Sequence, residues 1–342
     1  MKKLSRSSIS IAALATAFLL FSGCSSKQYF EPEQTYPAVT ESSSYGSKIV
    51  TLSRNGATLE DGHYIGKNGV SSIVLGEGYR FLNENASYVL AGNTEGVLKV
   101  INKKTGKTIR TVDLHVPIVS AAIQNGLIAY ILNSNTFGIY EIAGDRKLME
   151  NRSESTFAID TRAANPMFID TLAVMPMLDG KLVILNPADT ENVKVIYISS
   201  ERAFNNVIYL SRMDNTMVAA TPKRLITLGT EGQSEYRANI SEVAISKGRI
   251  YLFTKEGEII KLDTVLNELA KQKFRYAHFS VATVVGGKVY ALDQKGSLIV
   301  LSPDLSKYKI YEFDEVETPA FISGSKLYKD GEIIDLSKLG YE

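Results

Sequence analysis

One pattern recurs along almost the whole chain: a short apolar strand, a polar turn and a second apolar strand. Two clear copies are LAVMPMLDGKLVILNPAD (172–189) and VYALDQKGSLIVLSPD (289–304). We assign the turns of successive copies to Gly62, Gly96, Gly138, Gly180, Pro222, Gly257, Gly296 and Gly331. These positions are 34 to 42 residues apart, and such a period is typical of β-propeller blades. The sequence therefore predicts an all-β fold, a β-propeller of four-stranded antiparallel blades.

Eight hairpins predict eight blades, spread over residues 49–342. The last copy, around Gly331, leaves no room for an outer strand before Glu342. We therefore expect a ring that is closed by strands from both termini, with the missing strand supplied from residues 35–53. If the hairpin around Gly62 belongs to that shared blade instead, the ring has seven blades. A pair of β-sandwiches is a further alternative, but it does not explain the regular spacing.

The body of the chain contains a single helical pattern, VLNELAKQK (Val265–Lys273). Its Leu, Glu, Ala, Lys and Gln residues are good helix formers. The segment falls between two predicted strands. We therefore expect one or two helical turns in a loop.

Composition excludes several classes of function. Hydrophobic residues make up 44% of the 342 residues and charged residues 22%, which suits a packed globular core. The formal net charge of +1 gives no electrostatic footprint for nucleic acid. The one Cys excludes a disulfide framework and a thiolate-clustered metal site. His63, His115 and His278 lie in different repeats without a second metal ligand at suitable spacing, so we expect no metal site, no catalytic residue and no enzymatic activity. His278 begins a predicted inner strand and could approach the central channel, although a polar position on the rim is the simpler interpretation.

The N-terminal residues account for the lone cysteine. Lys2, Lys3 and Arg6 precede an apolar run over 9–21, and Ser22-Gly23 then lead to Cys24. A basic stretch, a short apolar run and small residues are the parts of a secretory signal. With Cys directly after the small residues, this segment resembles the bacterial lipoprotein signal. That resemblance implies a signal peptide over 1–23, lipid attachment at Cys24, and, because Ser25 is not Asp, an outer-membrane location facing the periplasm.

Residues 24–48 connect the expected anchor to the expected propeller. They are rich in Ser and Glu, with two Pro residues and little apolar periodicity. This composition predicts a flexible tether. The alternative is that part of the stretch docks on the propeller as an extra strand. Tyr29, Phe30 and Tyr36 are aromatic residues that would serve either an interface or such packing.

The hairpins resemble the quinoprotein-type (PQQ-like) propeller repeat, as in GKLVILNP (180–187) and GSLIVLSP (296–303). Quinoprotein dehydrogenases carry Trp residues in their repeats and under the cofactor, whereas this chain has none. We therefore expect no bound quinone and no other cofactor.

A lipoprotein signal followed by a Trp-free propeller resembles the BamB-like family of outer-membrane lipoproteins. The resemblance covers roughly residues 49–338 and implies a scaffold that assists the barrel-assembly machinery through protein contacts. It also implies an outer-membrane or periplasmic protein as partner, with the membrane reached only through the lipid. Two alternatives remain: a periplasmic propeller that binds a small molecule or glycan in its central channel, and a propeller hydrolase or lyase. The hydrolase needs His and carboxylates together at the channel.

Overall fold

The structure, a computed structural model, describes residues 28–38, 43–156 and 159–342. Cys24 and the signal segment lie outside the described residues. Two short strands come first: β1 (Tyr36–Pro37) and β2 (Ser43–Ser44). Blade 1 comprises β3 (Ile49–Ser53), β4 (Gly56–Leu59), β5 (Tyr64–Gly66) and β6 (Gly69–Val70), and blade 2 comprises β7 (Arg80–Glu84), β8 (Tyr88–Gly92), β9 (Val97–Asn102) and β10 (Thr108–Asp113). Blade 3 comprises β11 (Ile118–Gln124), β12 (Leu127–Leu132), β13 (Thr136–Glu141) and β14 (Arg146–Arg152), and blade 4 comprises β15 (Met167–Ile169), β16 (Leu172–Pro176), β17 (Lys181–Asn186) and β18 (Asp189–Tyr197).

Blades 5 to 8 complete the chain. Blade 5 comprises β19 (Tyr209–Met213), β20 (Thr216–Ala220), β21 (Arg224–Gly229) and β22 (Gly232–Arg237), and blade 6 comprises β23 (Ile240–Ser246), β24 (Arg249–Thr254), β25 (Glu258–Leu262) and β26 (Glu268–Lys273). Blade 7 contains β27 (Phe279–Val285), β28 (Lys288–Asp293), β29 (Ser297–Leu301) and β30 (Tyr308–Glu312), and blade 8 contains β31 (Phe321–Ser323), β32 (Lys326–Lys329) and β33 (Glu332–Asp335). A short 3-10 turn, Leu336–Lys338, comes last. In each of blades 1 to 7, four consecutive strands pair antiparallel as a meander, whereas blade 8 combines β31, β32 and β33 with β2.

Alternation along the strands builds the core between the blades. In β12, Ile128 and Tyr130 pack toward blade 2, whereas Ala129 and Ile131 pack toward blade 4. This follows from the period of two along a strand, which sends successive side chains to opposite faces. Eight hydrophobic clusters result, and each joins two consecutive blades. One of them joins blade 8 to blade 1 through Tyr328 and Ile65, so the eight blades form a closed ring.

The ring closes as the sequence predicts, with strands from both ends of the chain in blade 8. Strand β2 pairs antiparallel with β33, so that Ser43 faces Ile333 and Ser44 faces Glu332. This supplies the outer strand that the last repeat lacks. The hairpin around Gly62 belongs to a complete blade of its own, blade 1. The ring therefore has eight blades, and the seven-blade alternative is wrong.

Two local expectations are wrong. Gly138 lies inside β13 and not in a turn; the turn is at Asn133–Asn135, where Asn135 adopts a φ of 59°. A Cβ at Gly138 would overlap the hydroxyl of Tyr130, so close packing and not turn geometry requires glycine there.

The expected helical turns at Val265–Lys273 are also absent. Leu266, with a φ of 65°, lies in the turn, and Glu268–Lys273 form β26. Pairing with β25 overrides the helix propensity of this segment.

Candidate functional site

The three histidines do not converge. The Nδ1 of His63 lies 3.1 Å from Asp61, and that of His115 lies 3.1 Å from Asp113; each is a contact within one turn. His278 is exposed, and its backbone N–H donates to the Asp293 carboxylate at 2.7 Å. No histidine lines the central channel. Among the described residues, no group of three His, Cys, Asp or Glu is placed to hold a metal ion.

The centre of the ring contains a cavity of about 730 Å³. First strands of blades 1, 2, 6, 7 and 8 contribute to its wall. Much of this wall is small or apolar, with contributions from Val243, Ala244, Ala282, Val284 and Ala320. The remaining wall is polar or charged, and its charged side chains are Arg54, Lys67, Glu84, Arg162 and Glu242.

Three charged residues of this wall, Arg54, Arg162 and Glu242, together with Asp160, which pairs with Arg162, form what we call the channel cluster. The guanidinium of Arg54, from the first turn of blade 1, forms a two-pronged pair with the Glu242 carboxylate of blade 6; its Nη1 lies 3.2 Å from Oε2. Arg162 extends from the connection between blades 3 and 4, pairs with Asp160, and donates to the carbonyl of Ser241 in blade 6. Two arginines thus link three separate parts of the ring across the channel.

Electrostatics within the channel cluster favour the charged forms. Burial alone would raise the pKa of Asp160, but hydrogen bonds and the charge of Arg162 lower it below its ordinary value. Burial likewise opposes the charge on Arg162, yet its pKa is raised by Asp160 and by Glu242. The Arg54 guanidinium carbon also lies 5.0 Å from the centre of the Tyr209 ring, a cation–π distance. The cluster is therefore satisfied by its own members.

The N-terminal residues 28–38, here called the docked segment, lie against blades 6 and 7. The ring of Phe30 packs edge-on against Phe274 at the end of β26, with centroids 5.9 Å apart, and Phe274 packs in the same way on Tyr308 at 5.1 Å. The Nζ of Lys295, in the turn between β28 and β29, lies 4.6 Å from the centre of the Tyr29 ring. The chain thus reaches the propeller between these two blades.

Further along, the docked segment becomes a fifth strand of blade 7. Tyr36 faces Tyr311 in a parallel pairing of β1 with β30. Thr35 donates a hydrogen bond of 3.0 Å to Glu312, and the Nζ of Lys309 lies 4.3 Å from the centre of the Tyr36 ring. Residues 28–38 and 43–48 thus contribute two strands, β1 to blade 7 and β2 to blade 8.

The outer strand of blade 4 carries an apolar stripe. Strand β18 has nine residues and forms the edge of its sheet. Val193, Val195 and Tyr197 alternate along it with exposed fractions of 39%, 43% and 61%. The outer strands of blades 2 and 6 expose Ile109 and Leu269, respectively. Exposed apolar groups in a row on an edge strand mark a site where another chain can add.

Cys24 is outside the described residues, so lipid attachment there stays a prediction. Within residues 28–38, 43–156 and 159–342, no helix is long and apolar enough to cross a membrane. The channel cluster and the β18 stripe were not predicted. A signal for the stripe was present in the alternation VKVIY (193–197), which by itself suggests a buried face.

Comparison with solved structures finds proteins of similar fold. BamB from Moraxella catarrhalis superposes with a TM-score of 0.65 at 16% identity, covering 86% of this chain and 97% of BamB. Sqt1 from Saccharomyces cerevisiae superposes with a TM-score of 0.62 at 13% identity, covering 88% and 99%. At these identities the likeness is one of fold, and it supports a BamB-like propeller.

Comparison of sequences finds a more similar protein. The chain is 27% identical over 385 aligned positions to plasminogen-binding protein PgbB of Helicobacter pylori strain J99, covering 96% of this chain and 69% of PgbB. The PgbB of strain 26695 is 28% identical with the same coverage. No protein-family model matches the chain.

Proposed function

We propose that this protein is a non-enzymatic, protein-binding propeller of the bacterial envelope, anchored by lipid at Cys24 to the periplasmic side of the outer membrane. The observation that carries the binding function is the apolar stripe on β18. An extended segment of a partner can pair with this edge through its backbone, while its side chains cover Val193, Val195 and Tyr197. Strand addition of this kind gives affinity from backbone hydrogen bonds and specificity from alternate side chains.

The chain itself provides a precedent for strand addition. The docked segment pairs with the outer edge of blade 7 through β1, so a blade edge of this propeller can accept an added strand. By contrast, the ionic groups of the channel cluster are paired with one another. A ligand in the channel would have to compete with those pairs for the charged groups of the cluster, which leaves the small-molecule or glycan alternative with less support.

Two partners follow from different observations. The fold likeness to BamB supports an envelope protein, and we propose the barrel-assembly machinery or its unfolded clients, whose extended strands match the β18 edge. The sequence likeness to PgbB supports plasminogen as a second candidate. Both candidates are proteins, and both require an exposed binding surface and not a catalytic centre.

The test compares two variants that add one charge to an outer strand. Val195→Lys alters the β18 stripe, and Ile109→Lys makes the same change on β10, where the apolar residue is 47% exposed. After cross-linking in native membranes, capture by the wild type and by Ile109→Lys should recover the barrel-assembly protein, and capture by Val195→Lys should not. Immobilised variants incubated with purified plasminogen provide the parallel assay. Equal binding by Val195→Lys and Ile109→Lys in both assays would remove β18 as the binding site.

The anchor is tested separately. Cys24→Ser should appear in the soluble periplasmic fraction, whereas the wild type should remain with the outer membrane. Mass spectrometry of the wild-type N-terminal peptide should show the acyl chains on Cys24. A Cys24→Ser variant that stays with the membrane would contradict the lipid anchor.

A further inference from the structure

The position of the docked segment determines how far the propeller can stand from its anchor. Cys24 and Tyr29 are five residue steps apart, which is about 18 Å when fully extended. From Tyr29 onward the chain is bound to the propeller by the contacts of Tyr29, Phe30 and Tyr36. A free tether over 24–48 would reach several times farther.

The stretch between Cys24 and Tyr29, here called the link, is short in comparison with the propeller. A compact domain of about 300 residues has a radius of gyration of about 19 Å, which corresponds to a diameter of about 50 Å. The link starts between blades 6 and 7, and in a ring of eight blades the opposite rim belongs to blades 2 and 3. Because the chain between Cys24 and Tyr29 spans at most about 18 Å, the rim near the attachment point stays close to the membrane however the propeller turns. The opposite rim is not held there.

We infer that the rim formed by blades 6 and 7 rests against the lipid headgroups and that the rim formed by blades 2 and 3 points away from the membrane. This inference rests on the lipid anchor proposed above, and it adds the orientation of the propeller on that membrane. The occupant of the rim is the bilayer to which the lipid belongs.

Exposed tyrosines on this rim suit a headgroup layer, and the groove beside them is lined by both acidic side chains (Glu31, Glu33, Glu342) and basic ones (Lys273, Arg275, Lys309). Tyr29 and Tyr308 are 45% and 49% exposed, and tyrosines are favoured at the membrane–water interface because the ring is apolar and its hydroxyl is polar. Arg275 is exposed beside them, with its guanidinium carbon 4.7 Å from the centre of the Tyr276 ring. Since the length of the link and not a net charge holds the rim in place, the orientation should not depend on salt.

The orientation has a consequence for the proposed binding edge. Blade 4 lies two blades from blade 6 and three from blade 7 around the ring. Its β18 stripe is therefore held away from the lipid, where a protein partner can reach it. The attachment rim and the binding edge are thus separate surfaces of one ring.

The test uses the full-length lipidated protein, reconstituted into vesicles of phosphatidylethanolamine and phosphatidylglycerol that carry a spin label on the headgroup. Acylation blocks the thiol of Cys24, the only Cys in the chain, so an introduced Cys accepts an NBD dye alone. Gln294→Cys places the dye in the turn between β28 and β29 of blade 7. Asn133→Cys is the matched control, in the turn between β12 and β13 of blade 3. The two positions have equivalent backbone bonds: the N–H of Gln294 donates to the His278 carbonyl at 3.0 Å, and the N–H of Asn133 donates to the Pro117 carbonyl at 2.9 Å.

The dye at Gln294→Cys should lose fluorescence to the spin label, and the dye at Asn133→Cys should keep it. Adding Phe30→Ala and Tyr36→Ala should free the docked segment and lengthen the link as far as Ser43 to roughly 70 Å, so that the two dyes become equivalent. Equal quenching at both sites in the acylated wild type would overturn the orientation while leaving the anchor intact. An unacylated Cys24, detected by mass spectrometry of the same sample, would overturn the anchor and the orientation together.

Discussion

Arg54 of blade 1 and Glu242 of blade 6 pair across the channel, although two other blades separate them around the ring. Their side chains are only 16% and 18% exposed, so neither charge is well solvated without the other. Arg162 adds a second link to blade 6 through the Ser241 carbonyl. These bonds connect blades that share no hydrophobic cluster, and the ring should lose rigidity without them.

Removing one member of this pair should destabilise the protein. Arg54→Met leaves the Glu242 carboxylate half-buried without its partner, which should lower the free energy of unfolding by about 2 kcal/mol. The double variant Arg54→Met/Glu242→Leu should be less destabilised than the sum of the single variants, because no uncompensated charge remains. Urea unfolding of the four proteins measures the coupling. Strictly additive effects would show that the pair contributes nothing.

Alanine would strain the backbone at both Gly296 and Gly286, but it would meet a steric overlap only at Gly296. Alanine substitutions at the two positions therefore separate backbone strain from close packing. Gly296 and Gly286 have φ values of 91° and 60°, so alanine is strained at both, by about 1–2 kcal/mol. At Gly296 a Cβ would also overlap the carbonyl oxygens of Phe313 and Asp314, whereas Gly286 has open space. We expect Gly296→Ala to cost about 3 kcal/mol or more once this overlap is added. Thermal unfolding that gives equal losses for both variants would contradict the role of close packing.

Closure of the ring depends on Tyr45, which follows β2. Its ring packs edge-on against Tyr328 with centroids 5.7 Å apart, and its backbone N–H donates to the Gly331 carbonyl at 3.0 Å. Tyr45→Ala should lower the free energy of unfolding by about 2 kcal/mol, because it removes the aromatic contact and its buried area. Tyr45→Phe keeps the ring and loses only the hydroxyl, which accepts from the Gly331 N–H at 3.3 Å, so it should cost about 0.5–1 kcal/mol. A Tyr45→Phe variant as unstable as Tyr45→Ala would show that the ring does not carry the effect.

Stability should fall in acid because of Asp160. Its pKa in the folded protein is below the ordinary value, since the bonds from Arg162 outweigh the effect of burial. A carboxyl group with a lowered folded pKa stabilises the fold at pH values above its ordinary pKa of about 3.9. This contribution disappears as the pH falls through the lower, folded pKa.

The measurement is the free energy of unfolding between neutral pH and pH 2 for the wild type and for Asp160→Asn. The variant should be less stable at neutral pH and should lose less stability on acidification. Since Asn cannot ionise, the difference between the two curves should shrink toward the acidic end. Parallel curves over the whole range would exclude Asp160 from the acid response.

Much of the fold could be predicted from the chain because the hairpin repeats carry their own signals. Turn residues such as Asp330-Gly331 and the apolar pairs around them identify each blade, and counting them gives eight. The closing strand also falls within the predicted window of residues 35–53. Local patterns suffice here, since each blade is built from consecutive strands.

The errors arise where distant partners decide the local structure. Residues 268–273 have helix-forming composition, yet pairing with β25 makes them a strand. Tyr29, Phe30 and Tyr36 were recognised as candidates for packing, but their partners, such as Phe274, lie more than 200 residues away. No local pattern specifies such contacts.

The functional surfaces were hidden for a related reason. The four members of the channel cluster come from blade 1, blade 6 and the connection between blades 3 and 4, and each is an ordinary surface residue within its own repeat. In β18, the alternation of Val193, Val195 and Tyr197 indicates a strand with an apolar face. The exposure of this face becomes visible only in the folded propeller, where β18 is an outer strand.

Strand β2 also sets the order in which the protein can fold. Ser44 must find Glu332, a residue 288 positions away in the sequence. Contacts this distant form slowly, because the intervening chain loses the most entropy when they close. Blades 1 to 7 can assemble from neighbouring residues, but blade 8 must wait until the last residues are present. Until then the apolar faces of blades 1 and 7 that pack on blade 8 stay uncovered, so the interval before closure is the stage at which this protein is most exposed to misassembly.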